Sequence, residues 1–111
     1  MANILLVGLE LPLAEQLATV LRQLGQDVKT SDAILDASSV QVIFTSEDQL
    51  QQIQLSRPGV PVIVVSRLPE VSKWLNALEH GAADYCGAPF EARQVRWALN
   101  SSLAPANRIA A

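Results

Sequence analysis

One cysteine, one histidine, five glycines and no basic run leave this 111-residue chain without most of the chemistry that announces a function. The single thiol, Cys86, excludes an intramolecular disulfide and a cysteine-based metal cluster, and it fits a reducing compartment. The 8 Lys and Arg are scattered among 11 Asp and Glu, for a net charge of −3, so there is no electrostatic footprint for nucleic acid. No apolar run approaches membrane-spanning length, and Met1-Ala2-Asn3-Ile4 places no basic region ahead of one. The expectation is a cytoplasmic chain with no signal peptide and no membrane contact. A glycine-rich phosphate loop is also missing, because Gly8 stands alone. There is no internal repeat and no low-complexity segment.

What the chain does have is apolar sequence in short, regularly placed pieces. Half the residues are hydrophobic and 17% are charged, which suits one folded domain with a real core. Five apolar runs read as strands: Ile4-Leu5-Leu6-Val7, Asp27 to Thr30, Val40 to Phe44, Val60 to Val65 and Ala83 to Gly87. Helical patterns separate them. Leu13, Leu17, Val20, Leu21 and Leu24 keep helical spacing between Pro12 and Gly25. Residues Ala33 to Ala37 supply at most a turn or two, and Glu47 to Leu55 forms a weakly amphipathic helix ended by Arg57-Pro58-Gly59. A fourth helix opens at Pro69, with Val71, Trp74, Leu75 and Leu78 as its stripe and Gly81 as its stop. The fifth follows Pro89-Phe90, with Ala92, Val95, Leu99 and Leu103 inward.

Continuous buried-strand runs joined by helical crossovers indicate an α/β fold with a parallel sheet. Right-handed crossovers give a flavodoxin-like, doubly wound five-stranded sheet in the order 2-1-3-4-5, with helices on both faces. Ligands in such sheets bind at the carboxyl ends of the strands. That singles out Gly8 to Glu10, Thr45 to Asp48, Ser66 and Ala88. Residues 1–103 form the expected domain, and 104–111 read as a tail or linker.

The run Gly81-Ala82-Ala83-Asp84-Tyr85-Cys86-Gly87-Ala88-Pro89-Phe90 resembles the response-regulator receiver pattern of Gly-Ala-x-Asp-Tyr, two residues, then Lys-Pro-Phe. Val60 to Ser66 resembles that family's fourth strand with its terminal hydroxyl, and Asn3 to Val7 resembles its first strand. A receiver uses carboxylates after the first strand to hold Mg²⁺, an Asp ending the third strand as nucleophile, and a Lys after the fifth to neutralise the phosphoryl oxygens. In this sequence the acidic pair falls on Gly8 and Leu9, with Glu10 beside it. The nucleophile position falls on Ser46, or on Thr45 after a one-residue slip, and the Lys position is Ala88. The family's Met-Pro-x-x-Asp-Gly is missing, and the crossover from Ser46 to Val60 is short. Ser66, Tyr85 and Pro89 keep the hydroxyl, the aromatic switch position and the cis-proline of the pattern. The resemblance therefore implies a pseudo-receiver, without enzymatic activity and without a cofactor or resident metal.

Other chemistry is weaker. Glu10, Glu47 and Asp48 could meet around a cation, but solvated loop acids are the simpler reading. Ser46 and Ser66 as a phosphate pair compete with serines that satisfy backbone. His80 reads as a cation near a helix end, and Cys86 as a small buried hydrophobe. The aromatics are more informative, since Trp74, Tyr85, Phe90 and Trp97 gather near the last two helices. Helical geometry puts Trp97 nearly opposite the buried stripe, and Trp74, Tyr85, Arg93 and Arg96 are expected on the same surface. In receivers the fourth helix, fifth strand and fifth helix form the docking face. The expectation is contact with a protein partner or a homodimer there, independent of phosphorylation, with degenerate modules of pilus-assembly ATPases as one setting. Two alternatives are a small molecule or nucleotide in the vacated crevice beside Gly8, and a working receiver with Asp48 as displaced acceptor.

Overall fold

The computed structural model describes residues 3–31, 40–56, 59–67 and 70–103. The strands are β1 (Asn3–Val7), β2 (Asp27–Ser31), β3 (Val42–Thr45), β4 (Val62–Ser66) and β5 (Asp84–Gly87). The helices are α1 (Leu11–Gln23), α2 (Leu50–Ser56), α3 (Val71–Glu79) and α4 (Ala92–Ser102), with a 3₁₀ turn over Glu47–Gln49 ahead of α2. The short helix expected over Ala33 to Ala37, the Arg57-Pro58 stop, Pro69 and the tail from Ala104 lie outside the described residues. The fourth and fifth helices of the sequence reading are therefore α3 and α4.

All pairings are parallel and the order is β2-β1-β3-β4-β5, as expected. The apolar runs of β1, β3 and β4 have no polar alternation because those strands are buried on both faces, whereas in the edge strand β2 only Val28 of residues 27–30 is buried. Ile4, Leu6, Val42, Phe44, Ile63, Val65 and Cys86 point to one side, where they pack with Leu17 and Leu21 of α1 and Val95 and Leu99 of α4. The intervening residues Leu5, Val7, Ile43, Val62, Val64 and Tyr85 point to the other, against Leu50 and Ile53 of α2 and Ala77 of α3. Strand boundaries shift by up to two residues. Val40 stays outside β3, and the backbone N–H of Gln41 donates to the Asn3 carbonyl instead.

Two helical stripes differ from expectation. In α4 the buried set is Val95, Ala98, Leu99 and Ser102, with Ala92 exposed on the first turn. In α3 the difference is larger, because only Ala77 is buried while Val71, Trp74, Leu75 and Leu78 all face solvent. Their periodicity identifies the helix correctly, yet the helix packs through its small residue. Ala77 lets α3 lie close to the sheet, and the apolar stripe is turned roughly 110° away from it at about 100° per residue.

Candidate functional site

The ends of β1, β3 and β4 bring Gly8, Leu9, Glu10, Ser46 and Ser66 around one open depression of about 440 Å³, with Glu47, Asp48, Arg67 and Lys73 on its rim. The sequence-selected residues therefore do meet, apart from Ala88. That residue's N–H donates to the Ser66 carbonyl, and its methyl packs toward the core beneath α1 and α4. Thr45 also turns inward. It is fully buried, and its hydroxyl donates to the Val7 carbonyl at 2.8 Å, which fixes the end of β3 to β1 and takes the proton out of reach of any base.

Two of the acids that line the depression have protein partners. Glu10 pairs with Arg67 at 3.1 Å, both exposed, and Glu47 accepts from the Asn76 side-chain amide at 2.8 Å. Glu10, Glu47 and Asp48 share the depression, but no group of three or more metal-ligating side chains occurs among the described residues. Gly8 has φ +67°, and a Cβ there would collide with the side-chain amide of Gln49. The close approach that glycine permits is thus taken by Gln49, which fills the space a ligand was expected to use. Arg67 and Lys73 are the cations that sequence reasoning missed. Arg67 directly follows Ser66, whereas Lys73 reaches the rim from α3, a placement that depends on how that helix is rotated.

His80 caps α3, where its Nδ1–H donates to the Asn76 carbonyl at 2.7 Å. Cys86 is wholly enclosed between β4 and the helices of its face. Burial, with the nearby Asp84 charge adding to it, pushes its thiol up to about 12, so it stays neutral and unreactive.

The flank of β5 is a different kind of surface. A groove of about 360 Å³ runs between α3 and α4, lined by Glu70, Val71, Trp74, Asp84, Tyr85, Gln94, Trp97 and Ala98. Trp97 is 72% exposed and Trp74 43%, as the helical geometry of α4 required for the first. Tyr85, expected on the surface with them, is 8% exposed and lies beneath the groove, because its position in β5 points it into the core on the α3 side. Its hydroxyl is buried with no hydrogen-bond partner. Arg93 and Arg96 are exposed on α4 but stand outside the groove lining, where Gln94 takes the place expected for Arg93.

No family model and no curated relative matches the sequence. Solved structures do. A response regulator receiver domain protein from Clostridium thermocellum superposes with a TM-score of 0.80 at 20% identity, covering 98% of this chain and 99% of that one. NtrX from Brucella abortus in complex with ADP gives 0.77 at 23% identity over 96% of this chain, which spans 27% of the NtrX chain. A putative pilus assembly protein (cpaE) from Burkholderia thailandensis gives 0.78 at 17% identity, covering 94% and 99%. Similarity at this level of identity is similarity of fold, and it accords with the strand order β2-β1-β3-β4-β5. The chain has the fold of a response-regulator receiver domain.

Proposed function

We propose that the chain is a receiver-like regulatory module that takes up no phosphoryl group and acts by protein–protein contact through α3, β5 and α4. The observation that carries this reading is the apolar stripe of α3. Val71, Trp74, Leu75 and Leu78 stand exposed, and Val71 and Trp74 share one groove with the exposed Trp97 of α4, an apolar flank that a monomer has little reason to keep. The crevice supports the other half. At the positions where the receiver pattern has paired carboxylates, an aspartyl nucleophile and a lysine, the sequence has Gly8, Leu9, Ser46 and Ala88. The likeness to a pilus assembly protein fits a module within a larger assembly, and a cytoplasmic location accords with it. Among the described residues no helix is long and apolar enough to cross a membrane.

Two measurements test this. Intact mass after incubation with acetyl phosphate and Mg²⁺ should be unchanged, and a phospho-adduct on Ser46, Thr45 or Asp48 would overturn the first half. Association, read as concentration-dependent mass in sedimentation, should weaken at least about tenfold on Trp97→Ala, as expected for a central aromatic anchor. Association indifferent to that change would overturn the second.

A further inference from the structure

Helix α3 buries one residue of nine, against five of thirteen in α1 and four of eleven in α4. The methyl of Ala77 sets its distance to the sheet but has no shape to fix its rotation. Both flanks are open. On the β5 side lies the groove of about 360 Å³, and on the other a seam of about 480 Å³ runs between Asn76, Ala77 and His80 of α3 and Glu47, Leu50 and Gln51. One contact crosses the seam. The Asn76 side-chain amide donates to Glu47 Oε1 at 2.8 Å, and among the described residues no other α3 side chain hydrogen-bonds or ion-pairs outside its own helix. The acceptor has a firm base. Glu47 opens the 3₁₀ turn, where the Gln49 N–H donates to the Ser46 carbonyl, the Gln49 side chain lies over Gly8 and the following Leu50 is buried.

We infer that Asn76 is a positioning residue for this flank: latched to Glu47, it sets the rotation of α3 and so keeps Trp74 and Val71 turned to solvent. Geometry gives the direction. At about 100° per residue, Trp74 stands about 60° from Ala77 on the groove side, and Asn76 about 100° from it on the seam side. A roll that brings Trp74 down to the sheet moves Ala77 into the seam and carries Asn76 away from Glu47. The hydrogen bond therefore opposes the rotation that burial of apolar surface favours. Such a bond is worth about two- to tenfold in an equilibrium, which selects among small rolls about one methyl contact. Its effect on association rests on the reading of this flank as the contact surface. The rotation itself does not.

The test is NMR of the full chain with a soluble gadolinium chelate, whose relaxation effect reads solvent exposure, on Asn76→Asp, Glu47→Gln and the two combined. Sedimentation of the same samples reads association. Asn76→Asp sets two carboxylates against each other, so relaxation should fall at the Trp74 indole and the Val71 methyls and stay constant at the exposed Leu55 of α2. Association should weaken about two- to tenfold. Glu47→Gln keeps an acceptor oxygen and should match the wild type. In the combined variant donor and acceptor exchange places, and both readouts should return to wild-type values. Both side chains lie at the surface, so all three variants should unfold at nearly the wild-type midpoint. Unchanged exposure of Trp74 in Asn76→Asp, or no return in the combined variant, would overturn the inference. If exposure falls and returns while association stays constant, the latch stands and the contact face falls. If Trp97→Ala abolishes association while Asn76→Asp moves neither readout, the contact face stands and the latch falls.

Discussion

At the carboxyl ends of β1, β3 and β4, polar side chains meet one another: Glu10 with Arg67, Glu47 with Asn76, Thr45 with the Val7 carbonyl, and Gln49 laid over Gly8. Along β5 they do not. Asp84 and Glu70 face a groove without a cation, the Tyr85 hydroxyl has no partner, and α3 turns its apolar stripe to solvent. One sheet supports both regions. The strand-end depression has acids held by protein partners, whereas the β5 flank has two acids without an ion pair and a buried hydroxyl without a hydrogen bond among the described residues.

The comparison breaks most severely where both regions share support. Phe44 is fully buried in the central strand, and Phe44→Ala should cost about 3–5 kcal/mol in denaturant unfolding, taking crevice and groove down in one transition. Separate transitions would show that the two regions are not one unit. Next comes the crevice itself. Gly8→Ala forces a side chain into left-handed backbone and against Gln49, for a loss of about 1–2 kcal/mol. Adding Gln49→Ala should recover the part due to the clash, and no recovery would mean that Gln49 does not occupy the space over Gly8.

The Cys86 thiol gives a pH signature. Its folded value is raised to about 12 from 9.0, so the folded state holds its proton where the unfolded chain loses it. The stability it contributes is complete below pH 9.0 and declines as the pH rises from there toward 12. Relative to Cys86→Ala, the wild type should lose about 1.4 kcal/mol per pH unit in that window. Parallel curves would show that the thiol is not desolvated. The smallest effects lie at the surface. Arg67→Ala breaks an exposed ion pair and should change stability by less than about 1 kcal/mol. Trp97→Ala should cost about 0.5 kcal/mol or less while association fails, which separates binding from folding.

The strand order and most element boundaries were legible because fully buried strands write continuous apolar runs, and Gly25 and Gly81 end α1 and α3. The departure from the receiver pattern was equally legible, since it concerns residue identity at Gly8, Ser46 and Ala88. Orientation was not. The spacing of Val71, Trp74, Leu75 and Leu78 gives a helix and a stripe, but whether the stripe faces sheet or solvent depends on Ala77 finding the sheet first. Tyr85 lines the groove with Trp74 and Trp97, yet how little of it is exposed depends on the packing of α3 over its face of the sheet. The seating of Gln49 over Gly8 joins residues far apart in sequence, and no local pattern encodes it.

The comparison between the two regions is decided by photo-crosslinking with benzoylphenylalanine placed at position 97 in one variant and at position 48 in another, each with and without acetyl phosphate and Mg²⁺. The expected result is a protein adduct from position 97, equal in yield under both conditions, and none from position 48. An adduct from position 48 alone, or a yield at position 97 that follows the phosphodonor, would contradict a contact face that works without a phosphoryl switch.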